Sequence, residues 1–166
     1  MTFSIRSATA SDLPQLTHLY NFYIERVPTT FDIDPYTPET RLPWFQQFSE
    51  TGRYQLLVAE NDGEVVGYAC SGQFKAKKAY ETSVEVSIYI SENHQGQGVG
   101  RALYNALFDR LTTEDVHRAY ASITLPNEAS CLLHSKFGFE PVGVFQEVGR
   151  KFGRYWDVGL FEKKLN

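Results

Sequence analysis

Cysteine, histidine and positive charge are all scarce in this chain, and each shortage excludes something. The two cysteines, Cys70 and Cys131, stand far apart and outside any C-x-x-C pair, so no disulfide framework or thiolate metal site is indicated. The four histidines (His18, His94, His117, His134) are equally scattered, and no metal is expected. Sixteen Lys and Arg against twenty Asp and Glu give a net charge of −4, the opposite of the basic footprint that nucleic acid requires. No apolar run approaches a membrane span, and the opening MTFSIRSATASD lacks the apolar core of a secretory signal. The expectation is a cytoplasmic protein with no nucleic-acid, membrane or metal partner.

What is present fits a folded chain. An apolar content of 42% with 14% aromatics, in 166 residues, is enough to bury one core, and residues 1–166 read as a single domain. SIR is a short strand. Residues 11–27 read as a helix, with Ser11 or Asp12 as cap, Pro14 in the first turn and Leu13, Leu16, Leu19, Tyr20, Tyr23 and Ile24 at helical spacing. The proline-broken segment 28–38 reads as a loop. Residues 39–52 read as a second helix, with Pro43 near its start and Gly52 past its end.

Residues 54–74 form a hairpin pattern around Asn61-Asp62-Gly63. SVEVSIYIS alternates, with Val84, Val86, Ile88 and Ile90 on one face and Glu85, Ser87 and Tyr89 on the other. Val99 to Leu111 carries a helical apolar stripe. A strand, RAYASITL, and a helix from Asn127 to Gly138 follow, and two more strands close the chain. Strands first, then a β-α-β-α crossover, predict an α+β (mixed α/β) fold: one central mixed, twisted sheet flanked by about four helices.

Between the alternating strand and its helix lies NHQGQGVGRAL, with three glycines in five residues. Strand, glycine loop and helix together form the generic anion site, because free amides and the helix dipole both favour negative charge. A P-loop would need G-K-[ST], whereas Gly100 is followed by Arg101 and Ala102. A dinucleotide fingerprint would need G-x-G-x-x-G, and the spacing Gly96, Gly98, Gly100 does not supply it.

The stretch does match Q-x-x-G-x-G through Gln95, Gly98 and Gly100, and so resembles the pyrophosphate loop of the GNAT superfamily of acyl-CoA-dependent N-acetyltransferases. Asn127, Ala129 and His134 before KFGF are similar to that superfamily's later helix motif, shifted by one at the alanine. FKAKKAY with VEVSIYIS, LPNEASCLLHSKFGF and VGRKFGRYWDV resemble the signature blocks of the phosphinothricin and methionine sulfoximine N-acetyltransferases. With YNFYIE and WFQQF, the likeness covers nearly the whole chain.

The resemblance implies an acetyl-CoA-dependent enzyme that acetylates a small amino acid or analogue of the phosphinothricin, methionine sulfoximine or methionine sulfone type by direct transfer in a ternary complex. Such chemistry needs a neutral amine, and an amine of pKa ~10.4 is only about 0.04% neutral at pH 7. The likeness makes Glu85 the base and His134 the acid for the leaving thiolate, where many relatives carry tyrosine. It implies that Ile88, Tyr89 and Ile90 bind the pantetheine arm, with one amide as oxyanion donor. Gly96, Gln97, Gly98, Val99, Gly100 and Arg101 would hold the pyrophosphate, with Arg101 near the 3′-phosphate, and Asn127 would bond the arm besides capping its helix.

Lys75, Ala76 and Lys77, together with Glu85, Val86 and Ser87, match substrate-contacting positions. Some methionine sulfoximine and sulfone enzymes have arginine at the position of Lys75 and histidine at that of Val86. A lysine gives a point charge where arginine gives a fork, so specificity can differ. Homodimers are common in the family, and a homodimer is expected here. The alternatives are an acetyltransferase for protein N-termini or polyamines, and a non-catalytic acyl-CoA-binding module.

Overall fold

The structure is a computed structural model and describes residues 3–166. One seven-stranded sheet runs through it. In chain order its strands are β1 (Ser4–Ser7), β2 (Leu56–Asn61), β3 (Glu64–Gln73), β4 (Ser83–Ile90), β5 (Arg118–Leu125), β6 (Glu140–Lys151) and β7 (Arg154–Lys164). They lie in the order β1-β2-β3-β4-β5-β7-β6. Every neighbouring pair is antiparallel except β4 and β5. The mixed α+β architecture expected from the sequence is the one found.

Helices cover both faces. On one side α1 (Leu13–Arg26) and α2 (Pro38–Phe45) pack Leu16, Leu19, Tyr23 and Trp44 against Val58, Tyr68 and Cys70. On the other, α3 (Val99–Leu111) presses Leu103, Tyr104, Leu107 and Leu111 onto Leu57, Ala69, Val84 and Val86, with Leu133 of α4 (Glu128–Lys136) at the margin. The even residues of β4 therefore face α3 and the odd ones face α1, as strand alternation requires.

Two short turns fix the hairpins. Asp62 and Gly63 (φ 50° and 82°) join β2 to β3, and Phe152 and Gly153 (φ 54° and 74°) join β6 to β7. Two successive left-handed residues are what a two-residue hairpin of this twist demands.

The second helix differs from the sequence reading. It starts at Pro38, inside the segment read as a loop, where the Thr37 hydroxyl accepts from the Thr40 amide at 3.2 Å. It ends at Phe45, two residues past Pro43, so Pro43 lies in its last turn and not near its start. A proline has no amide to return to the preceding turn, so a helix past it loses a hydrogen bond. Asp12 also departs from its expected role. Its carboxylate accepts from the Thr9 amide at 2.7 Å and pairs with Arg6, and makes no side-chain cap to α1.

The feature that positions the site is a split in the sheet. β4 and β5 are in register only from Ser83↔Arg118 to Glu85↔Tyr120. Beyond that point β4 continues beside β3 as far as Ile90↔Gly67, and β5 beside β7 as far as Leu125↔Asp157. Both strands stay fully formed while they part, so a wedge opens between them just after Glu85.

Candidate active site

The backbone groups of β4 show what faces the wedge. The Ser91 amide donates to the Val66 carbonyl at 2.9 Å, which turns the odd residues' N–H and C=O toward β3 and the even residues' toward β5. Past Glu85 there is no paired β5 to receive them. Those of Ile90 are taken by the Tyr23 hydroxyl, which donates to the Ile90 carbonyl at 2.6 Å and lies 3.3 Å from its amide. Those of Ile88 are left facing the gap.

On the α3 side the wedge opens into a cleft of about 1210 Å³, lined by Ile88, Ile90, Gly96, Gly98, Gly100, Arg101 and Asn127 among others. The glycines are there for two reasons. Gly96 and Gly98 have φ of 73° and 85°, and a Cβ on either would meet open space, so their backbone conformation demands glycine. Gly100 is buried, and a Cβ there would lie 2.9 Å from Ile90 Cδ1 and 3.3 Å from Leu133 Cδ2. Its absence lets α3 start close against β4. Gly98 is the N-cap of α3 and contributes no side chain, and the first turn's amides are those a helix leaves without internal partners.

At the other wall the Asn127 side-chain carbonyl accepts from the Ser130 amide at 3.1 Å, capping α4, while Asn127 itself borders the cleft. Three cations rim it: Arg101, Lys136 and Lys163. The Lys163 ammonium donates to the Phe137 carbonyl, and burial pulls its pKa down. Of these residues Lys136 and Lys163, with Tyr23, Asn105 and Ser130, were not found from the sequence. They come from elements whose motifs say nothing of where their side chains meet.

On the α1 side lies Glu85, half-buried, with the Ser122 hydroxyl donating to Oε2 at 3.4 Å. Loss of hydration on burial raises its pKa, and the Ser122 contact only partly opposes that. Tyr120, opposite Glu85 in register, stacks on Phe74 with centroids 4.2 Å apart. The exposed loop Lys75–Ala76–Lys77 follows, with the Lys75 ammonium 5.3 Å and 5.2 Å from the Phe74 and Tyr80 ring centroids. Glu85 and this loop thus share one end of the wedge.

Other expected residues stand elsewhere. Val86 points into the core on the α3 face, so its side chain is turned from Glu85. The Tyr89 side chain packs among Tyr20, Tyr23 and Tyr68, while its backbone groups face β3. Gln97 is exposed and donates to the Asn93 carbonyl at 2.8 Å, and Val99 is a core residue beneath the loop.

His134 was expected to present a proton to the cleft, but it is 3% exposed and packs in the core against Tyr104 and Phe139. Its Nδ1 lies 2.8 Å from the Ser130 carbonyl, which can only accept, so Nδ1 carries the hydrogen. Nε2 then accepts from the Tyr104 hydroxyl at 2.9 Å. Burial lowers the pKa of the ring, and both nitrogens are engaged within the fold.

Backbone amides at a helix N-terminus on one face, a carboxylate on the other and a slot through the sheet between them suit an enzyme that moves an acyl group from a long phosphorylated carrier to an amine. The comparisons agree. The Acetyltransferase (GNAT) domain family matches residues 5–160, and the chain belongs to that family.

A phosphinothricin N-acetyltransferase of Streptomyces coelicolor is 51% identical over 163 residues, 97% of this chain and 95% of that one. An L-methionine sulfoximine/L-methionine sulfone acetyltransferase of Pseudomonas paraeruginosa is 32% identical over 166 residues, 100% and 96% of the two chains. The crystal structure of a GNAT superfamily phosphinothricin acetyltransferase from Sinorhizobium meliloti, in complex with AcCoA, superposes with a TM-score of 0.94. It is 32% identical and covers 100% of this chain and 90% of that one.

Proposed function

We propose that this acetyltransferase transfers the acetyl group of acetyl-CoA directly to the amino group of a small amino acid or analogue, of the phosphinothricin, methionine sulfoximine or methionine sulfone kind. The observation that carries the reading is the wedge after Glu85, where the carboxylate on one face of β4 and the unpaired Ile88 amide facing the gap border one opening. The cleft fits the co-substrate. Its glycine amides and rim cations suit phosphates, and Ile88, Leu133 and Phe137 offer an apolar channel for a thin pantetheine arm. Acetyl-CoA supplies an acetyl group activated as a thioester.

Each residue then has a definite task. Glu85 takes the proton of the incoming ammonium, directly or through one water, and its raised pKa brings it nearer the working pH. The Ile88 amide faces the position where charge develops on the acetyl oxygen, a role worth roughly 3–4 kcal/mol where such donors have been removed. Lys75 and Lys77 supply positive charge for the acceptor's carboxylate. His134 holds α4 against α3 through Tyr104, and the thiolate takes its proton from water in the cleft.

The chain works in the cytoplasm as a homodimer. The β6–β7 hairpin supports the assembly, since it exposes the large apolar side chains of Val142, Val144, Phe145, Val148, Phe152 and Tyr155, which a partner subunit would cover.

The test is a thiol-release assay with acetyl-CoA and a panel of amines: methionine sulfoximine, methionine sulfone, phosphinothricin, polyamines and short peptides. Saturable turnover of the amino-acid analogues is expected. Preference for polyamines or peptides, or turnover of nothing while coenzyme A still binds, defeats the reading.

A further inference from the structure

A second recess opens on the α1 side of β4, beside Ser87 and one step along the strand from Glu85. It encloses about 140 Å³ and draws walls from Tyr20, Asp32, Arg41, Tyr68, Ser87 and Tyr89. A cavity of roughly 150 Å³ holds one benzene, so there is room for an end group of about six heavy atoms and too little for a whole amino acid.

Two charged groups make it unusual. Arg41 is 3% exposed, with its guanidinium carbon 4.1 Å and 3.9 Å from the ring centroids of Tyr20 and Trp44. It donates to the Leu16 carbonyl at 2.7 Å and to the Tyr68 hydroxyl at 2.9 Å. A guanidinium has more N–H donors than those two acceptors use, and among the described residues no carboxylate forms an ion pair with it. Asp32 is half-buried across the same recess. It accepts from the Tyr20 hydroxyl at 2.6 Å and the Tyr36 hydroxyl at 3.4 Å, and among the described residues no cation forms an ion pair with it.

A buried cation and a nearby carboxylate that line one recess without pairing leave both with capacity for a ligand. Together they are neutral. A group that both accepts and donates hydrogen bonds satisfies them at once. An anionic group meets Asp32 as a like charge, and an apolar one leaves both ends unanswered.

The position gives the ligand's length. Glu85 and Ser87 are two residues apart on β4, roughly 7 Å. At ~1.2 Å per bond of an extended chain, about five or six bonds separate an amine at Glu85 from an atom in the recess. The Lys75–Lys77 loop lies at the opposite end, because β3 leaves the Glu85 position (Gly72↔Glu85) away from Ser87. An α-amino acid with its carboxylate toward the lysines therefore directs its side chain into the recess.

We propose that this recess is the specificity pocket for the acceptor's side chain, with Arg41 and Asp32 selecting a neutral, dipolar end group such as a carboxamide or sulfoximine over carboxylate, phosphinate or alkyl ends. The proposal rests on the acetyltransferase reading above.

The experiment compares kcat/KM of full-length enzyme for three matched acceptor classes: glutamine and methionine sulfoximine, then glutamate and phosphinothricin, then norleucine. The wild type is expected to favour the neutral dipolar class by about tenfold or more, as sites built around buried polar groups do. In Asp32→Asn the ratio of anionic to dipolar acceptors should rise by about tenfold, and in Tyr36→Phe by a smaller factor. Both positions are partly exposed, so the variants test the pocket without the folding risk of Arg41→Met. If the wild type turns over acceptors but Asp32→Asn changes all three classes by one common factor or not at all, the pocket is not selective and the proposal falls alone. If the wild type turns over none of them while acetyl-CoA binds, the acetyltransferase reading falls with it.

Discussion

The two faces of β4 are built by different means. The α3 face offers a wide cleft in which the main groups are main chain: amides of the glycine loop, the free edge of Ile88 and an N-capping asparagine. The α1 face offers side chains: Glu85 with Ser122, the exposed lysine loop, and a small recess where Arg41 sits among its aromatic neighbours. Main-chain groups read features shared by every carrier molecule, such as phosphates and amides. Side chains read what differs between acceptors.

The largest expected effect lies on the acceptor face. Glu85→Gln should lower kcat/KM by ~10²–10⁴-fold, the usual worth of a positioned base. In the wild type the base works only when ionised, and burial raises its pKa, so activity should fall with acidification at a higher pH than for an exposed glutamate. Rate profiles over pH 5–9 would show this limb disappear in the variant, and an unaltered profile would remove Glu85 from the mechanism.

A cleft-side substitution should act differently. Gly98→Ala meets no neighbour but forces φ of 85° on a residue with a Cβ, at a cost of roughly 1–2 kcal/mol. The KM for acetyl-CoA should rise about tenfold while the KM for the acceptor stays within twofold. Equal changes in both constants would mean that the two faces are not separable.

Lys151 sharpens the contrast from a distance. Its ammonium, 4% exposed, donates to the Val27 and Thr30 carbonyls at 3.0 Å and 2.8 Å and so ties the C-terminal hairpin to the loop carrying Asp32. Lys151→Met leaves those carbonyls unanswered at a cost of about 1–3 kcal/mol. Denaturant midpoints should drop accordingly, with acceptor KM rising and acetyl-CoA KM unmoved.

The smallest effect belongs to His134. Its pKa is lowered in the fold, so the unfolded chain binds its proton more readily, and the contribution to stability falls as pH drops below the unfolded value near 6.5. Melting curves of His134→Gln should lose part of the wild type's decline between pH 7 and 5. The variant's kcat should stay within a few-fold of the wild type's, and a loss of 10²-fold or more with an intact fold would restore the acid role.

The comparison also separates what could be read from the sequence from what could not. The glycine loop was legible because glycine is demanded by local facts, positive φ at two positions and close approach at Gly100, and local facts leave a spacing. Glu85 was legible as a face of β4, but its half-burial depends on Ser122 and neighbouring strands far along the chain. His134 reads as a residue on that helix, and its burial against Tyr104 and Phe139 does not show in the sequence. Spacing from Asn127 gives a direction about the axis, whereas Tyr104, thirty residues away, decides what lies there. Arg41 carries no signal in the sequence, and only the meeting of α1, α2 and β3 encloses it.

The parting of β4 and β5 has a last consequence, for evolution and for engineering. Because the slot runs through the sheet, the proposed function brings the two substrates in from opposite sides, each to its own set of groups. Changes around Arg41 and Asp32 lie on the other side of the sheet from the glycine loop, and distant sites of that kind combine nearly additively. A lineage can therefore exchange one acceptor for another while its hold on the acetyl donor is left as it was, and a directed-evolution library confined to the α1 face explores new amines on a constant engine.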